Sequence, residues 1–375
     1  MTRKEMNLRV FRGESLPRVF FQPRFEPWVD WHRQFGTLPE EIADLGLRDI
    51  YDRIGASMRT IQYYSGNPEP IVWEYEKEVV IRLEEGEDNT RIRYFDTPHG
   101  VLRRVEEYSV DRVWRTVEYP AKGGSDLKAL RWLLERRHPH FSETNFRIGA
   151  EWMGDRGVPQ FWVPKSPYLA LAQQLMSFDG FIYAMADAPD EMEAIMRVID
   201  DRYDPLYEQL TGCGLLEILN YGENIAMAYL NTRYFERYLL PFYEKRVGQL
   251  RRAGIFTHIH IDGYFKPLLP YLKRFPQDGL EALTPLPQGD VTLEEIRDHI
   301  GDKVLLDGIP AVYFLEHHSR EALQACCEKL VEYFHPRLVL GISDELPEGT
   351  AEEGWERLKW VGDFAGNAGS WSMKE

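Results

Sequence analysis

From about residue 125 onward, short apolar runs alternate with amphipathic helical stretches, and this rhythm limits the fold more tightly than any other feature. Helical patterns at 126–137, 167–175, 189–211 and 232–253 are interleaved with strand-like runs at 158–163, 215–219, 256–261, 280–283, 304–309 and 338–342. Strand, crossover helix and parallel strand repeated in this way build right-handed βαβ units. With Leu16–Gln22 read as a further buried strand, the chain offers roughly seven or eight parallel strands. That number fits an α/β fold of the (β/α)₈ TIM-like barrel type better than an open sheet. No Gly-rich phosphate turn follows the first strand, as a dinucleotide fold would need.

Residues 72–120 depart from the rhythm. The runs Val79–Leu83, Thr90–Phe95, Gly100–Val105 and Trp114–Tyr119 alternate apolar and polar residues, with turn-forming breaks at Gly86–Asn89 and Thr97–Gly100. Such alternation marks antiparallel hairpins. The expected organisation is one barrel domain over 1–375 with a β-hairpin meander inserted near the N-terminal third, at 72–120. Helical patterns fill 28–63, and Pro241 is expected to kink or break the long helix at 232–253.

Charge narrows the partners. The chain carries 45 Lys and Arg against 61 Asp and Glu, a net charge of −16. A surplus of this size argues against nucleic acid or an anionic membrane as partner by bulk electrostatics, but leaves room for a locally basic pocket. Cys213, Cys326 and Cys327 form neither a disulfide framework nor a metal-spaced pair, which points to a reducing cytoplasm. No run of about eighteen apolar residues and no apolar leader is present, so a soluble chain is expected.

The chemistry concentrates at Phe256–Gly263. Here a strand-like run carries His258, His260 and Asp262 at alternate positions and stops at a glycine. Side chains two apart on a strand share a face, so two imidazoles and a carboxylate converge near one strand end. Burying them is costly unless they are paired or bind a metal. In a barrel the site lies at the C-terminal strand ends. Those ends supply Arg24 and Glu26, then Tyr221, Glu223 and Asn224, then the His-rich run, Glu281, Asp307–Gly308 and finally Ser343–Asp344–Glu345.

Glu223, His260, Asp262 and either Asp344 or Glu345 offer nitrogen and oxygen ligands for a divalent metal, imidazole favouring zinc. The same residues suit general acid–base work without a metal. Arg24 can hold a substrate carboxylate with two hydrogen bonds. Tyr221 and Asn224 are polar positioning groups, and Trp28 and Trp31 can form an aromatic wall.

At these residues the chain resembles the uroporphyrinogen decarboxylase superfamily, which includes haem-pathway decarboxylases and corrinoid-dependent methyltransferases. The resemblance covers most of 125–365. It rests on Tyr234–Tyr243, Ala253–Gly254, the His-x-Asp-Gly of 260–263, Gly279–Pro285, Gly289–Leu293, Gly308–Pro310 and Gly341–Asp344. The decarboxylase segment Arg-Gln-Ala-Gly-Arg is replaced by Gln22–Pro27. Asp262 and Leu340 stand near the cysteines of the zinc-dependent methyltransferases. The resemblance therefore implies an oxygen-rich methyltransferase branch, in which a methyl group passes from a small donor such as a methyl ether to a corrinoid on a separate partner protein. It implies zinc held by Glu223, His260 and Asp344, with Asp262, His258 and Glu345 as catalytic groups. Arg24, Glu26, Trp28, Trp31, Tyr221, Asn224 and Glu281 are then the substrate-binding set. The alternative is a metal-independent decarboxylase of a porphyrinogen or other polycarboxylate, with Arg91, Arg93, Arg103 and Arg104 supplying cations if the hairpins fold over the barrel mouth. A non-catalytic corrinoid- or tetrapyrrole-binding barrel is a third reading, and the oligomeric state is open, a homodimer included.

Overall fold

The computed structural model describes residues 1–86, 89–227 and 230–367. Glu87 and Asp88, in the expected turn at Gly86–Asn89, lie outside the described residues. The central element is a seven-stranded parallel sheet built from β1 (Phe20–Phe21), β8 (Trp162–Val163), β9 (Ile218–Ile225), β10 (Phe256–Ile261), β11 (Gly279–Glu281), β12 (Val304–Leu306) and β14 (Leu338–Leu340). Its spatial order is β1-β14-β12-β11-β10-β9-β8. Two short strands, β13 (Ile309–Pro310) and β15 (Ile342–Ser343), continue the β12–β14 pairing past Gly308 and Gly341.

The ladder has seven paired strands, and residues 57–61 hydrogen-bond to β1 on one side and to Gln160, just ahead of β8, on the other. The Ser57 N–H donates to the Phe21 carbonyl on one edge (2.8 Å). Gln160 donates to the Arg59 carbonyl (3.1 Å) and Ile61 to the Gln160 carbonyl (3.0 Å) on the other. Backbone groups that would otherwise be left open at each sheet edge are paired in this way.

The two faces of the sheet bury different cores. Ile259, Ile261, Leu280, Leu305 and Leu340 belong to a large cluster shared with the helices. Phe20, Ile218, Val304, Leu306 and Val339 belong to a small second cluster with Met6, Val10 and Phe11 of the helix Arg3–Arg12. Period-two alternation explains the division, since neighbouring strand residues point to opposite faces. Helix Arg3–Arg12 thus closes the N-terminal end of the inner face, leaving the C-terminal end for polar groups. Its start is capped by the Thr2 side chain and its end by Gly13 in the left-handed conformation.

Within the expected 72–120 meander, one antiparallel sheet spans 80–118. Strands β3 (Val80–Glu85), β4 (Thr90–Thr97), β5 (Gly100–Tyr108) and β6 (Trp114–Glu118) form a four-stranded antiparallel sheet. β2 (Ile71–Tyr75) is not part of it and pairs instead with β7 (Arg137–Phe141). Alternation marks a strand but not its partner, so this pairing was invisible in the sequence. The long helical pattern is broken as expected near Pro241. A short α turn, Thr232–Tyr234, runs into a π-helical stretch, Phe235–Leu239, and then helix Leu240–Arg252 with Pro241 in its first turn. Proline is tolerated there because its missing N–H has no intrahelical partner to lose. Among the described residues, no helix is long and apolar enough to cross a membrane.

Phe11 is 3 % exposed and sits 5.6 Å from Phe256 and 6.2 Å from His258, ring centre to ring centre. Phe11→Ala is expected to lower the unfolding free energy by about 3 kcal/mol in urea titration. No change would show that the N-terminal helix does not seal the sheet.

Candidate active site

Arg59 lies at the centre of the inner face, 2 % exposed, within residues 57–61. It donates to both oxygens of Asp307 (2.8 and 2.9 Å), to Glu281 Oε1 (2.9 Å) and to the Gln22 side chain (3.1 Å). Asp307 adopts φ 69° at the end of β12, a left-handed conformation uncommon outside glycine that aspartate tolerates better than most. Gly341 leaves room for it, since a Cβ there would stand 2.3 Å from Asp307 Oδ1. A buried cation with two buried carboxylates is tolerable only with this degree of hydrogen bonding.

Register then delivers the histidines. β10 and β11 pair His260 with Glu281, and β9 pairs Asn220 with His258. Glu281 Oε2 accepts from the Asn220 amide (2.7 Å) and lies 2.9 Å from His258 Nδ1, while Oε1 lies 3.4 Å from His260 Nδ1. Burial works to raise Glu281, but Arg59 and then His258 and His260 hold it well below the usual carboxylate range. His258 Nε2 is 2.7 Å from Gln160 Oε1, and burial pushes its pKa down, favouring a neutral imidazole. His260 is also opposed by burial, yet Asp344 and Glu281 lift it above the ordinary value. The two histidines on one strand are therefore set for different protonation states.

Arg24 forms the next layer towards solvent. Its Nη1 donates to Asp344 and lies 3.5 Å from Glu281, and its Nη2 lies 3.6 Å from Glu345. The guanidinium stacks over Tyr63 at 5.1 Å, and the Tyr63 hydroxyl donates to Glu345 Oε2 at 2.9 Å. Burial pushes Glu345 up to about 7, with Arg24 opposing and Asp344 reinforcing the shift. The result is a carboxyl that exchanges its proton near neutrality.

Arg24, His260, Asp344 and Tyr63 open onto a cleft of about 710 Å³, with Trp73, Trp162, Lys165 and Asn224 on its other walls. A volume of this size suits a small organic ligand. Burial brings Lys165 down to about 8, and its ammonium donates to the Gly222 carbonyl.

Of the expected site residues, Arg24, Glu281, His258, His260, Asp344 and Glu345 are brought together, and Glu26 lies close behind, its carboxylate accepting from the Phe25 N–H at 3.0 Å. Glu223 is not among them. Along β9 the inner positions are Asn220, Gly222 and Asn224, so Tyr221 and Glu223 fall on the opposite face. There Glu223 accepts from the Ser166 N–H (2.6 Å) and hydroxyl (2.7 Å), and burial raises its carboxyl. Tyr221 is buried against the Tyr207 hydroxyl at 3.2 Å. Asp262 is exposed just past β10. Trp28 is a core residue stacked on Trp355 at 6.2 Å, and Trp31 pairs with Phe35, so neither lines the cleft.

The intended zinc set therefore does not assemble. Glu223 faces away, and His260 Nε2 lies 3.8 Å from Asp344, whose carboxylate already pairs with Arg24. Among the described residues, no group of three or more His, Cys, Asp or Glu side chains is gathered to hold a metal. This donor arrangement does not fit a zinc site with three protein ligands.

Sequence reading missed Arg59, Tyr63, Gln160, Asn220 and Lys165. Arg59 had one usable signal, a single charge inside the otherwise compact run Ala56–Ile61.

No family model matches the chain, and no curated protein does. Among solved structures, a methyltransferase from Methanosarcina mazei shares the fold at a TM-score of 0.58 and 16% identity, covering 97% of this chain and 98% of its own. A B12-independent methionine synthase from Shewanella sp. W3-18-1, solved with selenomethionine, matches at 0.46 and 11% identity, over 96% and 99% of the two chains.

Arg59→Met is expected to cost about 3–5 kcal/mol at neutral pH by leaving Glu281 and Asp307 buried without their cation. Asp307, which burial already lifts to about 6 against the pull of Arg59, and Glu281, released from that cation, then both take their protons at higher pH in the folded state than in the unfolded one. Their penalty grows as pH rises above the ordinary carboxylate range, so the deficit against wild type should shrink as pH falls from 7 toward 4.5. Urea titrations across that range check it. A pH-independent deficit would contradict the charge explanation.

Proposed function

We propose that this chain is a methyltransferase that removes the methyl group of a small O-methyl donor with acid assistance. The observation that carries this reading is the half-buried Glu345 carboxylate group, which accepts from Tyr63 at 2.9 Å and lies 3.6 Å from Arg24, two residues that line a cleft of small-molecule size. Breaking a methyl–oxygen bond leaves negative charge on oxygen, and a carboxyl poised near neutrality is suited to supply the proton. The methyl acceptor is the Co(I) of a corrinoid carried by a partner protein, which supplies the nucleophile. As the methyl leaves, the donor oxygen gains the Glu345 proton, and Tyr63 and Arg24 hold the resulting carboxylate. His260 and Asp344 orient the donor, and Arg59 holds Glu281 so that His260 keeps its place. We read residues 57–61 as the eighth stave of a closed (β/α)₈ barrel over 1–375, which keeps the inner face dry enough for this chemistry.

The shared fold supports no choice of reaction by itself, and one feature favours the metal-independent decarboxylase. Arg104, Arg137 and Lys165 join Arg24 around the cleft, as recognition of a polycarboxylate requires.

Both readings meet one assay. Purified protein is incubated anaerobically with a Co(I) corrinoid and a panel of methyl ethers, following loss of the Co(I) absorbance, and in parallel with polycarboxylates, following CO₂ release. Methyl transfer is expected, and Glu345→Gln should slow it by about 100-fold or more. Carbon dioxide release without Co(I) consumption would replace this reading with the decarboxylase.

A further inference from the structure

The antiparallel insertion turns one face to the cleft, and that face carries an unusual charge arrangement. Register on β4 and β5 sets Arg93 directly opposite Arg104, and Arg91 opposite Glu106. Like charges in cross-strand pairs are destabilising unless something between them compensates. Here one buried carboxylate serves three guanidiniums, with the exposed Glu85 across from Arg91 at the end of β3. Glu106 is 3 % exposed and lies 2.8 Å from Arg91, 3.0 Å from Arg104 and 3.5 Å from Arg93. On the opposite face Arg103 pairs with Glu118 and Arg82 with Asp96, one cation to one anion. The surplus is therefore confined to the cleft side.

A fourth guanidinium joins it from another element. Arg137 of β7 lies over the Trp73 ring at 3.7 Å, and with Arg104 and Thr116 it lines the cleft. The Nε atoms of Arg104 and Arg137 are buried and make no hydrogen bond. Burial, with Arg93, Arg137 and Arg91 nearby, holds Arg104 below an arginine's ordinary value against the pull of Glu106. Glu69 also lines the cleft, but burial moves its carboxyl toward the neutral form. Buried donors without acceptors, in a cluster with excess positive charge, carry a cost that a bound anion would relieve.

We propose that Arg104 and Arg137, backed by Thr116, form a binding site for an oxyanion, carboxylate or phosphate, at one end of a substrate whose reacting end lies at His260 and Asp344. Trp73, Trp162 and Tyr63 on the intervening walls suit a flat apolar or aromatic body between the two ends. The substrate is then an anion-tailed, ring-bearing small molecule, and the insertion is what selects it. This inference rests on the cleft being the active site.

The test is equilibrium binding, which needs no turnover. Benzoate, phenyl phosphate and benzamide present the same ring with a carboxylate, a phosphate or a neutral amide, and are titrated against tryptophan fluorescence. At least one anion is expected to bind about tenfold or more tightly than benzamide, weakening with salt. The better anion identifies the headgroup. Arg104→Gln and Arg137→Gln should each remove that preference, Arg104→Lys should keep part of it, and Arg82→Gln on the outer face should leave it intact. The comparison of anion with amide in wild type holds even if a variant fails to fold. Equal binding of benzamide, absence of saturable anion binding up to high millimolar concentration, or wild-type preference in both folded glutamine variants would overturn the proposal. Anion selectivity without methyl transfer would leave it standing and remove the proposed reaction instead.

Discussion

The guanidinium of Arg59 is the fixed point of the inner sheet face. It is bound through both Asp307 oxygens and through Glu281, and it also holds Gln22 beside the first strand. Four chain segments far apart in sequence meet at this one planar group. Each carboxylate would be intolerable in that position alone, and so would the cation. Together they fix the ends of β11 and β12 against residues 57–61. The Glu281 side chain is thereby oriented for the two histidines of β10.

From that point outward, the site is a graded sequence of charge. Arg59 holds Glu281 ionised, and Glu281 with Asp344 favours the charged form of His260. Arg24 bridges Glu281, Asp344 and Glu345 without satisfying all three equally. The carboxyl left least compensated, Glu345, is the one that burial lifts to about 7. A carboxyl lifted by burial toward neutrality is how a site acquires an acid at neutral pH. A divalent cation in the same volume would compete with Arg24 for Asp344.

Much of the layout was legible in the sequence because it follows from local pattern. Apolar runs located the parallel strands, and period two placed His258 and His260 on one face. Glu223 shows the limit of the same rule. Its loop-like surroundings, Asn220–Asn224, read as the end of a strand, whereas β9 continues to Ile225 and alternation carries Glu223 to the outer face. Trp28 sat in an aromatic cluster that looked like a ligand wall, but a helix face packed on Trp355 produces the same composition. The partners of Arg59 could not be found by pattern, since they lie 222 and 248 residues away. The arginines of the insertion could be offered as cleft cations only as a group, and only the register of β4 on β5 shows which of them share a face.

The pH dependence of the proposed methyl transfer, in wild type and in Glu345→Gln, tests the central claim most directly. With Glu345 as the proton donor, the wild-type rate should fall as pH rises through about 7, where its carboxyl ionises, and the residual rate of the variant should not follow that curve. An identical pH profile in the two proteins would show that the proton comes from elsewhere and that this carboxyl is not the acid.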